Sequence, residues 1–151
     1  MTIWVDADAC PKVIKEILYR AAERGVIKII FIANQFLRLP QSDFLEFVLV
    51  AQGADLADDE IAARCQPSDL VVTADIPLAA RVVEKGAVAL NPNGKLYGPE
   101  NIKEILSMRD FMDSLRGSGI ETGGDHGFGQ RERQNFANAL DRFMTQAQAQ
   151  T

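Results

Sequence analysis

Histidine and cysteine are scarce in this chain: His126, Cys10 and Cys65 are all it has in 151 residues. The two cysteines lack metal-ligand spacing and a single histidine cannot complete the set, which argues against a structural zinc centre. With no export signal both thiols are expected to be reduced. An excess of basic charge is also missing, since the formal net charge is −5 and the pI about 4.9. Proteins that grip nucleic acid by charge alone are usually basic. The acidic balance weighs less against an enzyme whose acids gather at a metal, because the ion reverses the local field. No apolar run is long enough to span a bilayer. The best candidate, Val26 to Ala33, suits a buried strand, so no membrane partner is expected. The opening Met-Thr-Ile-Trp-Val-Asp lacks a basic region followed by a long apolar stretch, so the expected location is cytoplasmic.

What is present alternates. Thr2 to Val5 reads as a first strand, and Pro11 to Arg24 as a helix with Val13, Ile14, Ile17, Leu18 and Ala21 at helical spacing and Gly25 as its stop. Val26 to Ala33 reads as a second strand buried on both faces. A loop over 34–43 follows, then a third buried strand around Phe47 to Val50 and a short helix carrying Ile61, Ala62 and Cys65. Leu70 to Thr73 is a fourth strand, Leu78 to Lys85 a helix and Ala87 to Leu90 a fifth strand. Asn91-Pro92-Asn93-Gly94 is a strong turn signal that fits a small hairpin. Helices are expected over Asn101 to Leu115 and Gln130 to Met144, separated by glycine-rich residues 117–129. Strands alternating with helices over short joints predict an α/β fold with a central, mostly parallel sheet of about five strands, covered on both faces. One domain is expected over residues 1–146, with a polar C-terminal tail over 147–151.

Two strand ends share their wording: Val-Asp-Ala-Asp-Ala-Cys-Pro at 5–11 and Thr-Ala-Asp-Ile-Pro at 73–77. In a parallel sheet all strands end on one side, and ligands bind there. Asp6, Asp8 and Asp75 are therefore expected on one edge. Asp55, Asp58, Asp59 and Glu60 open the helix after the third strand, on the same side. Carboxylates crowded at one rim repel unless a hard cation joins them, and magnesium or manganese suits all-oxygen ligands. The plain alternative is that each aspartate caps a helix or solvates its first turn. Val-Asp-Ala-Asp is also similar to the start of aspartyl-phosphate phosphatases, with Asp6 as nucleophile and Asp8 as acid, although the later lysine and acidic pair do not follow in order. A non-catalytic nucleic-acid or protein-binding module is the third alternative.

Asp-Ala-Asp-Ala-Cys-Pro at 6–11, Ala-Asn-Gln at 33–35, Ala-Asp-Asp-Glu-Ile at 57–61, Asp-Leu-Val-Val-Thr-Ala-Asp-Ile-Pro-Leu-Ala at 69–79 and Thr-Gly-Gly at 122–124 resemble the bacterial YaiI/YqxD family. That family is similar to the PIN-like nucleases, which cut single-stranded RNA or DNA with magnesium or manganese. The resemblance implies a PIN-like three-layer sandwich and an acidic metal site. In it, Asp6 matches the first-strand aspartate, Asp58 or Asp59 the helical acid and Asp75 the aspartate after the fourth strand, with Asp8 as an additional ligand. The acid that many PIN enzymes carry shortly after that last aspartate is missing from Ile76 to Val83, and Asp125 stands where the family pattern has proline after Thr-Gly-Gly.

Asn34, Arg38 and Thr73 are the candidate substrate-binding residues, with Lys12 a weaker one. Arg131 and Arg133 either contact a nucleic-acid backbone or are plain exposed helix charges. Thr122-Gly123-Gly124 makes either a backbone anion nest or a linker. His126 reads as incidental, and Cys10, at a helix start where thiolates are favoured, as a packed thiol.

Overall fold

The structure, a computed structural model, describes residues 1–53, 55–117 and 129–149, with the side chains of 113–117 left aside. Residues 122–126, including the Thr-Gly-Gly segment, Asp125 and His126, therefore lie outside the described residues.

The strands are β1 (Thr2–Asp6), β2 (Lys28–Ala33), β3 (Leu45–Leu49), β4 (Leu70–Val72), β5 (Val88–Leu90) and β6 (Leu96–Tyr97). The helices are α1 (Lys12–Ala22), α2 (Leu56–Arg64), α3 (Ile76–Glu84), α4 (Ile102–Gly117) and α5 (Gln130–Ala149). All strands join one sheet in the order β3-β2-β1-β4-β5-β6, parallel throughout except for the antiparallel β5–β6 pair. The sheet thus has six strands where about five were expected; the sixth is the return arm of the turn at Asn91–Gly94.

Alternation along the strands builds two cores. Ile3 and Val5 of β1, Ile29 and Phe31 of β2 and Leu70 and Val72 of β4 face one side, packing with Ile14 and Leu18 of α1 and Phe136, Leu140 and Met144 of α5. Trp4, Ile30, Ile32 and Val71 face the other, packing with Ile61 of α2 and Leu78 and Val82 of α3. A helix layer on each face of the sheet makes the expected three-layer sandwich. Among the described residues no helix is long and apolar enough to cross a membrane.

Two expectations need correction. β3 is an edge strand, not a buried one: Glu46 and Leu49 are exposed, and Glu46 pairs with Lys28 at 3.3 Å. An apolar run does not reveal that only one side of the strand has a neighbour. At the other end of the described residues, α5 continues to Ala149 and Ala147 is buried beside Met144, so residues 147–149 belong to the helix.

Candidate functional site

The strand order reverses between β1 and β4. The crossover after β1 runs through α1 to β2 on one side, and that after β4 through α3 to β5 on the other. Such a switch point opens a crevice at the carboxyl ends of the strands, where open α/β sheets take their ligands. Asp6 ends β1, and Thr73 follows β4 directly beside it. Strand alternation aims both towards α2 and α3, the side of Trp4 and Val71.

Asp6 is only 7% exposed. Its Oδ2 accepts a hydrogen bond from Thr73 Oγ1 at 3.1 Å. The same Thr73 oxygen accepts the backbone N–H of Asp75 at 3.0 Å. Asp75 in turn caps α3, its Oδ1 accepting from Leu78 N at 2.9 Å ahead of Pro77 in the first turn. One hydroxyl thus ties the end of β1 to the start of α3. Thr73 itself is 1% exposed, with its hydroxyl shared between the Asp6 carboxylate and the Asp75 backbone N–H.

Asp58, in the first turn of α2, comes to the same place. Its carboxyl lies near enough to those of Asp75 and Asp6 for their charges to act on it. Burial, then the charges of Asp75 and Asp6, push the Asp58 carboxyl up to about 6. Burial also raises Asp6, helped by the charges of Asp75 and Asp8 and partly offset by the Thr73 hydroxyl. Asp55 precedes α2 in a left-handed conformation (φ 66°) and adds to the field on Asp58 without joining the pair.

The remaining candidates divide. Asp8 lies in a short 3-10 turn, Ala7–Ala9; it is exposed, and its Oδ2 accepts from the backbone N–H of Asn34 at 2.8 Å. Asn34 therefore serves the rim through its backbone, holding the loop after β2 against Asp8. Asp59 leaves the site: it pairs with Arg81 of α3 at 2.8 Å, exposed, and the choice between Asp58 and Asp59 falls to Asp58. Arg38 and Lys12 are exposed. Cys10 is buried, and its thiol is pushed up to about 12 by that burial, which makes it a packed side chain and no nucleophile.

One residue was not singled out from the sequence. Phe36 follows Asn34 on the rim loop, is 79% exposed, and touches Phe47 edge-on at 5.9 Å between ring centroids. An aromatic ring next to a polar loop at a strand end was the available signal.

Among the described residues no group of three or more histidine, cysteine, aspartate or glutamate side chains is gathered tightly enough to hold an ion as it stands. The chemistry of the donors is nevertheless suited to one. Asp58 and Asp75 act on each other through their charge beside buried Asp6, and a magnesium-type ion needs only one or two carboxylates, completing its shell with water.

Comparison with known proteins adds the following. A family model described as "Uncharacterized BCR, YaiI/YqxD family" matches residues 4–146. A UPF0178 protein of Shewanella loihica is 59% identical over 145 residues, covering 96% of this chain and 97% of the relative. A UPF0178 protein of Yersinia pestis is 57% identical over 150 residues, covering 99% of each. No solved structure matches.

Proposed function

We propose, for a chain that belongs to the YaiI/YqxD family, that the carboxyl edge of its sheet is a magnesium- or manganese-dependent site for hydrolysing phosphodiester bonds in single-stranded RNA or DNA. The observation that carries this is buried Asp6, tied through the Thr73 hydroxyl to the start of the helix that Asp75 caps, with Asp58 brought near both at the switch point of the sheet. Like charges brought close call for a proton or a cation, and the strand-end crevice is where a substrate has access. Asp58 and Asp75 would hold the ion, with Asp6 behind them and Asp8 at the open side; Asp59 is engaged elsewhere. When bound, the ion supplies Lewis acidity at a phosphoryl oxygen.

The chain's own groups supply the rest. Thr73 fixes Asp6 and, through its backbone bond to Asp75, the start of α3, so the carboxyls need no reorganisation when substrate arrives. Phe36 presents a ring on which an unpaired base can stack, which favours single strands over duplexes. Asn34 holds that loop to the rim through Asp8. Exposed Arg38 of the same loop is available to a phosphate.

Labelled single-stranded RNA incubated with purified protein and magnesium or manganese tests this. Asp6→Asn and Asp75→Asn are each expected to lower cleavage at least about 100-fold while leaving the far-ultraviolet circular dichroism unchanged. Undiminished cleavage by both variants would place the activity elsewhere. A second reading has its own observation: Asp75 and Asp8 each have a local structural job, one capping α3 and the other pinning Asn34. On that view the rim is a binding surface only, and oligonucleotide would bind without turnover under either ion. The aspartyl-phosphate alternative gains no support, because its nucleophile would be Asp6, which is buried and committed to Thr73.

A further inference from the structure

Beyond the acidic rim, the molecule has a groove of about 480 Å³ between the β5–β6 turn and the outer face of α5. Lys95, Arg131 and Arg142 line it, and among the described residues no ion pair joins any of the three to a carboxylate. The one acid in the lining, Glu132, is turned into its own helix start, where its Oε2 accepts from Gly129 N at 3.0 Å. Two of the three amides in the lining, Asn93 and Asn138, are oriented by their partners. Asn93 Oδ1 accepts from Lys95 N at 2.9 Å, and Asn138 Oδ1 accepts from Gln134 Nε2 at 3.0 Å. Each carbonyl oxygen is thus engaged, leaving the NH₂ group of the amide as the remaining function. The groove therefore presents donors and positive charge, on a chain whose net charge is −5.

Its shape selects among anions. Arg131, Asn135, Asn138 and Arg142 recur at the spacing of one helix face, and at the α-helical rise the two arginines are about 16 Å apart along the axis. A single phosphate does not reach from one to the other; a chain of phosphates does. The opposite wall is rigid. Gly94 (φ +98°) sits so close to α5 that a Cβ there would come within 2.4 Å of Asn135 Cβ and 2.8 Å of Phe136 N. The turn is further braced by Gly94 N to Asn91 O at 2.8 Å and Asn91 Nδ2 to the Tyr97 hydroxyl at 3.0 Å. The turn that forms this wall leaves β5 immediately after Leu90, whose carbonyl accepts from Thr73 N at 3.1 Å.

We propose that this groove binds successive backbone phosphates of a single-stranded nucleic acid, as a site separate from the aspartates. Only the expectation that the bound strand continues to the carboxyl edge rests on the nuclease reading above. A labelled oligouridylate, titrated into the full chain in EDTA and followed by fluorescence anisotropy, tests the binding without turnover. The variant Lys95→Gln/Arg131→Gln/Arg142→Gln is expected to bind about tenfold or more weakly at about 50 mM salt. Its log–log salt slope is expected to be shallower by about 2. Because the titration reads binding alone in EDTA, a parent that binds here but never cleaves under magnesium or manganese would sink the nuclease reading and leave the groove standing. In parallel, oligouridylate should shift the side-chain amide resonances of Asn93, Asn135 and Asn138. Binding by the triple variant equal to the parent's would overturn the proposal. So would inorganic phosphate moving those resonances where the oligonucleotide does not, since the groove would then be a single-anion site.

Discussion

The two ends of the same sheet each bury an aspartate, and they treat it in opposite ways. At the amino edge Asp69, 4% exposed, is surrounded by donors: Thr2 N at 2.9 Å, Trp4 Nε1 at 3.0 Å and Gln66 N at 2.8 Å. At the carboxyl edge Asp6 receives one hydroxyl and faces other acids. A carboxylate saturated by N–H groups is a structural fastener, here tying the start of β1 to the approach to β4. One left short of donors and crowded by like charge costs stability as it stands, which is the condition of a site built for something that arrives later. Burial alone does not distinguish the two; the partners do.

Removing each aspartate is the strongest way to break that comparison. Asp69→Ala leaves three donors without their acceptor, one of them the indole N–H of Trp4, and is expected to cost about 3 kcal/mol or more in urea unfolding. Its loss should leave divalent-ion binding intact in whatever fraction remains folded. A cost below about 1 kcal/mol would mean that the amino edge is not fastened this way. The aromatic pair follows. Phe36→Ala, at the carboxyl edge and 79% exposed, should barely change stability. It should weaken binding of single-stranded oligonucleotide by about 1–3 kcal/mol if one base stacks there. Unaltered affinity by anisotropy would remove Phe36 from the binding surface.

Asp6→Asn tests the other half. The amide keeps an acceptor for Thr73 and loses the charge, so in EDTA at neutral pH the variant is expected to be more stable than the parent. A substitution at a buried, hydrogen-bonded aspartate that stabilises is the signature of a functional rather than a structural carboxylate. Destabilisation by as much as Asp69→Ala would make the two ends alike.

Much of this was legible before any coordinates. Strand ends are topological positions, so Asp6 and Asp75 were bound to share an edge once a parallel sheet was read from alternating apolar runs. The choice between Asp58 and Asp59 was open, yet a cue existed: Asp58 stands three and four residues before Ile61 and Ala62, the buried face of α2, while Asp59 is turned about 100° towards Arg81. That Thr73 would face Asp6 was also open to strand parity, since the two lie two residues past Val71 and Trp4 on the same face of the sheet. The end of α5 was misjudged because the glutamines around Ala147 read as a tail, although Phe136, Leu140, Met144 and Ala147 continue one helical stripe. The edge position of β3 was not legible, because its sequence does not say on which side of β2 the chain will lay it. Nor was the commitment of Glu132 to Gly129, which turns the one acid of the groove towards its own helix start.

The smallest expected effect carries the most direct information on how the carboxyl edge differs from the amino edge. Asp58 titrates near 6 in the folded protein against an ordinary value of 3.8. Below about pH 4 the folded and unfolded states are both protonated here, and the group favours neither. Between about 4 and about 6 the unfolded chain releases this proton while the folded one keeps it, so stability falls as pH rises; above about 6 the loss is complete. Asp6, raised for the same reason, adds a slope of the same sign. Asp58 is half-exposed, so water screens the repulsion and its share is on the order of 1 kcal/mol. Urea unfolding in EDTA should therefore show the parent losing stability relative to Asp58→Asn as pH rises through this range, and magnesium or manganese at pH above 6 should restore it to the parent alone. Parallel pH profiles for the two proteins would mean that Asp58 and Asp75 do not meet in solution, and the contrast between the two edges would reduce to one buried residue, Asp6.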